Sequence, residues 1–248
     1  MRPDGREPKQ VRPIVIEPDF IRYPEGSVLY HAGDTMVLCN ASVLDRTAPF
    51  LRGSGEGWVT AEYAMLPRAT DTRSDREVKK GKPSGRSQEI QRLIGRSLRA
   101  AVRRDLLGER TIALDCDVLQ ADGSTRTASI SGGWISLTFA LVRMFEQGLL
   151  PEWPLTGQIV AVAVGLVNCE ARADLDYGED FDCDVDLNLV FTASGNLIEV
   201  QGTAEGESFS RDQLNELVEV GWHGAEQVIA KQREVVGPRL EAIGQSLP

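Results

Sequence analysis

Val185, Leu187, Leu189 and Phe191 alternate with Asp184, Asp186 and Asn188, and this period of two predicts a strand with one apolar and one polar face. A Ser-Gly-Asn turn at 194–196 and a further apolar run at 197–200 make it a hairpin. Upstream, β-rich runs at 11–16, 27–30, 35–44 and 58–65 are punctuated by Gly, Pro and Asp and predict four more strands. The period then changes. Ile90, Leu93, Ile94, Leu98, Ala101 and Val102 recur at helical spacing and predict a helix over 86–107. The run TIALDCDVL at 111–119 predicts a strand, and Ala121-Asp-Gly123 a turn. A second helix then runs from hydroxyl caps at Ser124 and Thr125 to Gln147, with Gly148 as its stop. Ala128, Ser129, Ser131, Gly132 and Gly133 are small, so this helix is expected to pack closely. The near-continuous apolar run at 158–167 predicts a strand buried on both faces. Ser210 caps a last helix over 211–236, and 238–248 is expected to form a loose tail. The order of elements predicts an α+β fold in two similar halves, 11–110 and 111–237.

The length of 248 residues suits one large domain or two small, intimately packed ones, and 42% hydrophobic with 26% charged residues is ample for a core. No apolar run reaches the ~18 residues of a membrane span, and MRPDGREPKQ has no apolar segment of the kind that opens a secretory signal. The four cysteines lie far apart without C-x-x-C spacing, which predicts reduced thiols and a cytoplasmic location. His31 and His223 are the two histidines, and both are expected to be structural. No Walker loop, G-x-S-x-G elbow or G-x-G-x-x-G is present.

The net charge of −10 argues against indiscriminate nucleic-acid binding. Residues 68–110 nevertheless hold thirteen Lys/Arg against six Asp/Glu. Within them the polar loop at 67–84 carries Arg68, Arg73, Arg76, Lys79, Lys80 and Lys82, either as a solvated connection or as an electrostatic guide for a polyanion.

Two further features bear chemistry. Arg86 and Arg126 each stand in the first turn of a predicted helix, where a cation is disfavoured unless an anion joins it. If those helix starts meet, backbone N–H groups, the hydroxyls of Ser124 and Thr125 and two guanidinium groups would hold one phosphate. The second feature is the stretch at 174–188, DLDYGEDFDCDVDLN, with seven carboxylates. A solvated acidic face and a divalent-cation site both account for it, though the spacing does not fit an EF-hand.

Long segments resemble the ribonuclease PH family of phosphate-dependent tRNA 3′-end nucleotidyltransferases. They are Met1-Arg-Pro with Gly5-Arg6, GWVTAEYAMLPR (57–68), GRSQEIQRLIGRSLRAAV (85–102), LDCDVLQADGSTRTASI (114–130), DLDYGED (174–180), DVDLN (184–188) and IEVQGTAEGESFS (198–210). The resemblance implies paired βαβα halves of the ribosomal-protein-S5-domain-2 type. It implies a reversible phosphorolytic 3′–5′ exoribonuclease that trims tRNA precursors and other RNA 3′ ends with inorganic phosphate and Mg²⁺, releasing nucleoside diphosphates. It also implies a homohexameric ring, a trimer of dimers, with no membrane partner. By the same resemblance Arg86, Ser124, Thr125 and Arg126 bind phosphate, Asp174 and Asp180 form the catalytic and metal pair, and Arg68, Arg73 and Arg76 contact RNA, with Lys79 and Lys80 beside them. Two positions depart from the family's usual residues. Ser124 replaces a glycine of the phosphate loop, which adds a hydroxyl and costs freedom if φ is positive there. Gly178 replaces a larger residue and is expected to loosen the acidic loop. A hydrolytic two-metal nuclease and a non-catalytic RNA-binding ring subunit are the other classes, but the first has no use for paired anion-binding helix starts and the second would be expected to lack the arginines or the aspartates.

Overall fold

The structure, a computed structural model, describes residues 2–206 and 208–248, with only the backbone of Val78 and Lys80. Strands β1 (Ile14–Pro18), β2 (Gly26–Ala32), β3 (Thr35–Leu44), β4 (Trp58–Met65) and β5 (Thr111–Gln120) form one sheet in the order β1-β2-β3-β5-β4. The β4–β5 pair is parallel. Parallel neighbours need a crossover, and helix α1 (Gly85–Arg99) supplies it. The second sheet, in the order β7-β6-β8-β9, is antiparallel and holds β6 (Ile159–Val167), β7 (Glu170–Ala173), β8 (Val185–Thr192) and β9 (Leu197–Ala204). The α+β class is the one the sequence predicts. However, β5 lies inside the first sheet, so the chain changes sheets after residue 146 rather than near residue 110.

Helix α2 (Thr125–Glu146) lies between the sheets and packs on β2, β3, β5 and β6. It is apolar enough to cross a membrane, yet it is buried almost all round, as a core helix is. Its small residues allow the close approach the sequence predicts: a Cβ on Gly132 would meet Cys39 Sγ at 2.9 Å and Tyr30 Cβ at 3.0 Å. Where β2 crosses α2, a Cβ on Gly26 would lie 1.9 Å from the Ser136 carbonyl. Helix α4 (Arg211–Ala242) covers the second sheet. Its fully buried Gln232 donates to the Ser131 and Ile159 carbonyls at 3.0 Å each and accepts from Gln158 at 2.8 Å, tying α4 to α2 and β6.

Three elements differ from the periodic reading. Helix α1 stops at Arg99, because the backbone beyond it pairs with 154–156: Arg103 N donates to Pro154 O and Thr156 N to Ala101 O. Helix α4 continues through Pro238 to Ala242, so this part of the expected tail is ordered. A mid-helix proline costs a hydrogen bond, here offset by full burial of Val236 and Leu240 and by Arg239 lying 3.8 Å over the Phe139 ring. The acidic stretch is no simple loop, since Tyr177–Asp182 forms helix α3 between β7 and β8. All four cysteines are unpaired, three buried and Cys169 exposed.

Candidate active site

The starts of α1 and α2 meet α3 and β8 around a cavity of ≈150 Å³. Arg86, Ser124, Thr125 and Arg126 line one side, Asp180, Asp186 and Asn188 the other. The two helix starts do not contribute alike. At α1 the Ser84 hydroxyl accepts from Ser87 N at 3.1 Å, so that end is capped and gives mainly its arginine. At α2 no side chain caps the helix. The Ser124 hydroxyl donates to the Leu175 carbonyl at 3.0 Å instead, leaving first-turn N–H groups for an anion.

The phosphate-loop departure is resolved in the same place. Ser124 has φ 55°, in the left-handed region that costs a non-glycine residue roughly 1–2 kcal/mol. Its bond to Leu175 holds it there. Gly123 before it (φ 71°) has no room for a side chain, since a Cβ would lie 2.4 Å from Leu175 O.

Arg126 Nη2 donates to Glu89 Oε2 at 3.2 Å, and Gln201 Nε2 donates to Glu89 Oε1 at 2.8 Å. Arg126 Nε is buried and has no hydrogen-bond partner among the described residues. A buried guanidinium donor left open costs free energy unless a ligand accepts from it. Thr125 Oγ1 is fixed at 2.9 Å from the buried Tyr63 hydroxyl, whose pKa burial raises.

Of the seven carboxylates, Asp180 and Asp186 line the cavity. Burial raises the pKa of Asp180 against the opposing charges of Arg86 and Arg126. Burial and the neighbouring Asp180 push Asp186 up to about 6. This changes the pair that the resemblance assigns. Asp174 is absent from the lining and is spent on structure: Arg12 donates to Asp174 Oδ1 from Nη2 (2.7 Å) and to Oδ2 from Nε (3.0 Å) and backbone N (2.7 Å), and Arg6 adds a longer contact at 3.4 Å. Burial alone would raise the pKa of Asp174, but Arg12 and then Arg6 hold it below the usual carboxylate range. Glu179 is likewise consumed, by Arg2 at 2.5 Å and Arg172 at 3.0 Å, all three buried. Asp176 accepts from Glu179 N, and the reciprocal capping box fixes the turn containing Gly178. Asp186 was legible in the strand pattern, because it shares the polar face of β8 with Asn188, and both reach the cavity.

The basic loop adjoins the cavity through Thr70, which lines it. Arg68, Arg73, Arg76 and Lys79 are exposed, whereas the Lys80 side chain lies outside the described residues. Arg73 pairs with Asp75 at 3.2 Å. Neither histidine lines the cavity: His31 contacts Glu17 at 2.9 Å and His223 contacts Glu226 at 3.3 Å.

Residues 10–143 match the family model described as 3′ exoribonuclease family, domain 1, and residues 157–223 match domain 2. A ribonuclease PH of Bacillus velezensis is 52% identical over 241 residues, 97% of this chain and 98% of its own. Solved structures share the fold at low identity. Rice (Oryza sativa) Rrp46 superposes with a TM-score of 0.76 at 19% identity, covering 95% of this chain and 100% of its own. A chain of the Archaeoglobus fulgidus exosome with RNA bound to the active site does so at 0.77 and 23%, covering 93% and 92%. Two helix starts that each bring an arginine to one cavity, two facing carboxylates, two matched domains and half-identity along nearly the full length converge: the chain belongs to the ribonuclease PH family of 3′ exoribonucleases.

Proposed function

We propose that this phosphorolytic 3′–5′ exoribonuclease and tRNA nucleotidyltransferase works through the cavity between α1, α2, α3 and β8. The observation that carries the reading is the open guanidinium donor of Arg126 beside an uncapped helix start. Arg86, Arg126, the Ser124 and Thr125 region and first-turn N–H groups hold inorganic phosphate in line with the last phosphodiester. A phosphate oxygen attacks that phosphorus, and the bond to the 3′ oxygen of the penultimate nucleotide breaks. The terminal nucleotide leaves as a nucleoside diphosphate. Hydrogen phosphate brings one proton and the departing 3′ oxygen takes one up, so no net proton is drawn from the protein. A histidine base is therefore unnecessary. Positioning of this kind is worth effective molarities of ~10⁵ M or more.

Asp180 and Asp186 would hold Mg²⁺. Two carboxylates, both raised by burial and set against each other, form an oxygen site that a cation relieves, and Mg²⁺ commonly takes one or two carboxylates together with substrate phosphate. When bound, Mg²⁺ neutralises charge on the phosphoryl group and the leaving oxygen. Arg68, Arg73, Arg76, Lys79 and Lys80 guide the RNA, with tRNA precursors as the substrate class. Assembly into a homohexameric ring and a cytoplasmic location complete the reading. Unpaired thiols support the second.

The test is RNA labelled in its 3′-terminal nucleotide, incubated with Mg²⁺ with and without phosphate. Labelled diphosphate released only with phosphate is the expected result, and monophosphate released regardless of phosphate would overturn it. Within this site Glu89 is a positioning residue. Glu89→Ala is expected to raise KM for phosphate about tenfold, equivalent to ~1.4 kcal/mol, with KM for RNA unchanged. Glu89→Gln, which keeps an acceptor for Arg126, should restore part of the loss. Equal effects on both KM values would reject the role.

A further inference from the structure

Helix α3 is amphipathic in the wrong sense. The residue it buries is charged, Glu179, while Tyr177 and Phe181 are 62% and 77% exposed. A surface helix ordinarily turns apolar residues inward. Their ring centroids lie 6.4 Å apart with planes tilted by 34°. Two other exposed aromatics are covered in part by partners: Phe50 packs edge-on against Trp58, and Arg22 lies over Tyr23. Tyr177 and Phe181 have each other as their ring contact among the described residues.

Their placement carries the argument. Positions 177, 180 and 181 are related as i, i+3 and i+4 and lie on one side of the helix, with Tyr177 between Asp180 and Phe181 around its axis. Tyr177 also lines the anion cavity, and its backbone N donates to Asp122 Oδ1 at 3.2 Å, fixing this rim against the turn that precedes α2. The aromatic face is thus continuous with the place where the terminal phosphodiester must sit. Asp176, Asp180 and Asp182 belong to the same short segment as the rings, and this local negative charge disfavours backbone phosphates there and leaves the uncharged base as the part of RNA that fits.

We propose that Tyr177 and Phe181 form a stacking platform for the unpaired bases at the RNA 3′ end. The inference rests on the cavity being the phosphorolytic site. Stacking suits an exonuclease that meets every base in turn, because each base offers a π-face and base–aromatic stacking is tolerant of sequence. The platform holds the terminal nucleoside while the anion site holds phosphate on the far side of the bond to be broken.

The test uses an RNA ending in 2-aminopurine, whose fluorescence falls on stacking, together with steady-state phosphorolysis. Tyr177→Ala and Phe181→Ala are each expected to raise KM for RNA about tenfold, within the range of base–aromatic stacking, and to abolish the quench, with KM for phosphate unaltered. Phe181→Tyr is expected to keep both. Because the side chains are exposed, melting temperatures should match wild type. Alanine variants that quench and bind as wild type would overturn the platform. So would a fall in native mass with RNA affinity unchanged, which would make the pair a contact between copies. Failure of the underlying reading is distinguishable, since wild-type enzyme would then release no diphosphate while the quench still reports on stacking.

Discussion

Asp186→Asn is expected to lower phosphorolytic turnover by about 10³-fold, the scale of losing one electrostatic group that faces developing charge, with a melting temperature at or above that of wild type. The two effects have one source. Burial and Asp180 hold the Asp186 carboxyl up to about 6, above its ordinary 3.8. Its ionised form is therefore a net cost to the folded protein at neutral pH, and asparagine removes that cost. A carboxylate kept where the fold disfavours it is the pattern of a group retained for chemistry. Thermal melts with and without Mg²⁺ give a readout independent of turnover: a rise in melting temperature with Mg²⁺ is expected in wild type and not in Asp186→Asn. Wild-type turnover in the variant would remove Asp186 from the site and return its place to Asp174.

The fold was legible wherever burial follows a period. The strip Val185 to Phe191 read directly as a strand, since a side chain's face is set by its own position parity, and β6 read from its unbroken apolar run, all nine residues of which are buried. What failed were elements fixed by distant partners. Helix α3 spans six residues, YGEDFD, with glycine and two aspartates against helix propensity. It stands because Arg2 and Arg172 neutralise Glu179, and Arg2 lies 177 positions away. The capping pair Asp176 and Glu179 was visible as D-x-x-E and was the one local clue. Likewise Leu106 continues the apolar spacing of α1, but pairing of 101–103 with 154–156 ends the helix at Arg99, and propensity carries no trace of that contact.

The site divided along the same line. Arg86, Ser124, Thr125 and Arg126 were found because a cation at a helix start breaks a local rule, and they do meet. The acidic stretch was conspicuous, yet its seven charges looked alike in sequence. Only the positions of Arg2, Arg6 and Arg12 sort them: Asp174 and Glu179 are neutralised by the N-terminal segment, whereas Asp180 and Asp186 are left to the cavity. Charge counting could match the arginines with the acidic stretch as groups but could not pair individuals across more than 160 residues.

Asp174→Asn therefore separates a structural from a catalytic reading of that carboxylate. Asparagine tolerates the left-handed conformation that Asp174 adopts (φ 52°), so the exchange isolates charge and hydrogen bonding from backbone strain. It leaves Arg12 buried with Asp122 as its remaining ion-pair partner. Breaking a buried pair in this way costs ~3–5 kcal/mol, or on the order of 10 °C in melting temperature for a chain of this size. The pH dependence has a definite sign. The folded carboxyl is held below its ordinary range, so its stabilisation is complete above the unfolded pKa of about 3.9 and is lost as pH falls through the lower folded value. The gap between wild type and Asp174→Asn should accordingly be widest at neutral pH and close in acid. At a temperature where the variant remains folded, phosphate-dependent diphosphate release should persist, because this carboxylate does not line the cavity. Full stability with no turnover would be the reverse outcome and would restore Asp174 to the catalytic pair.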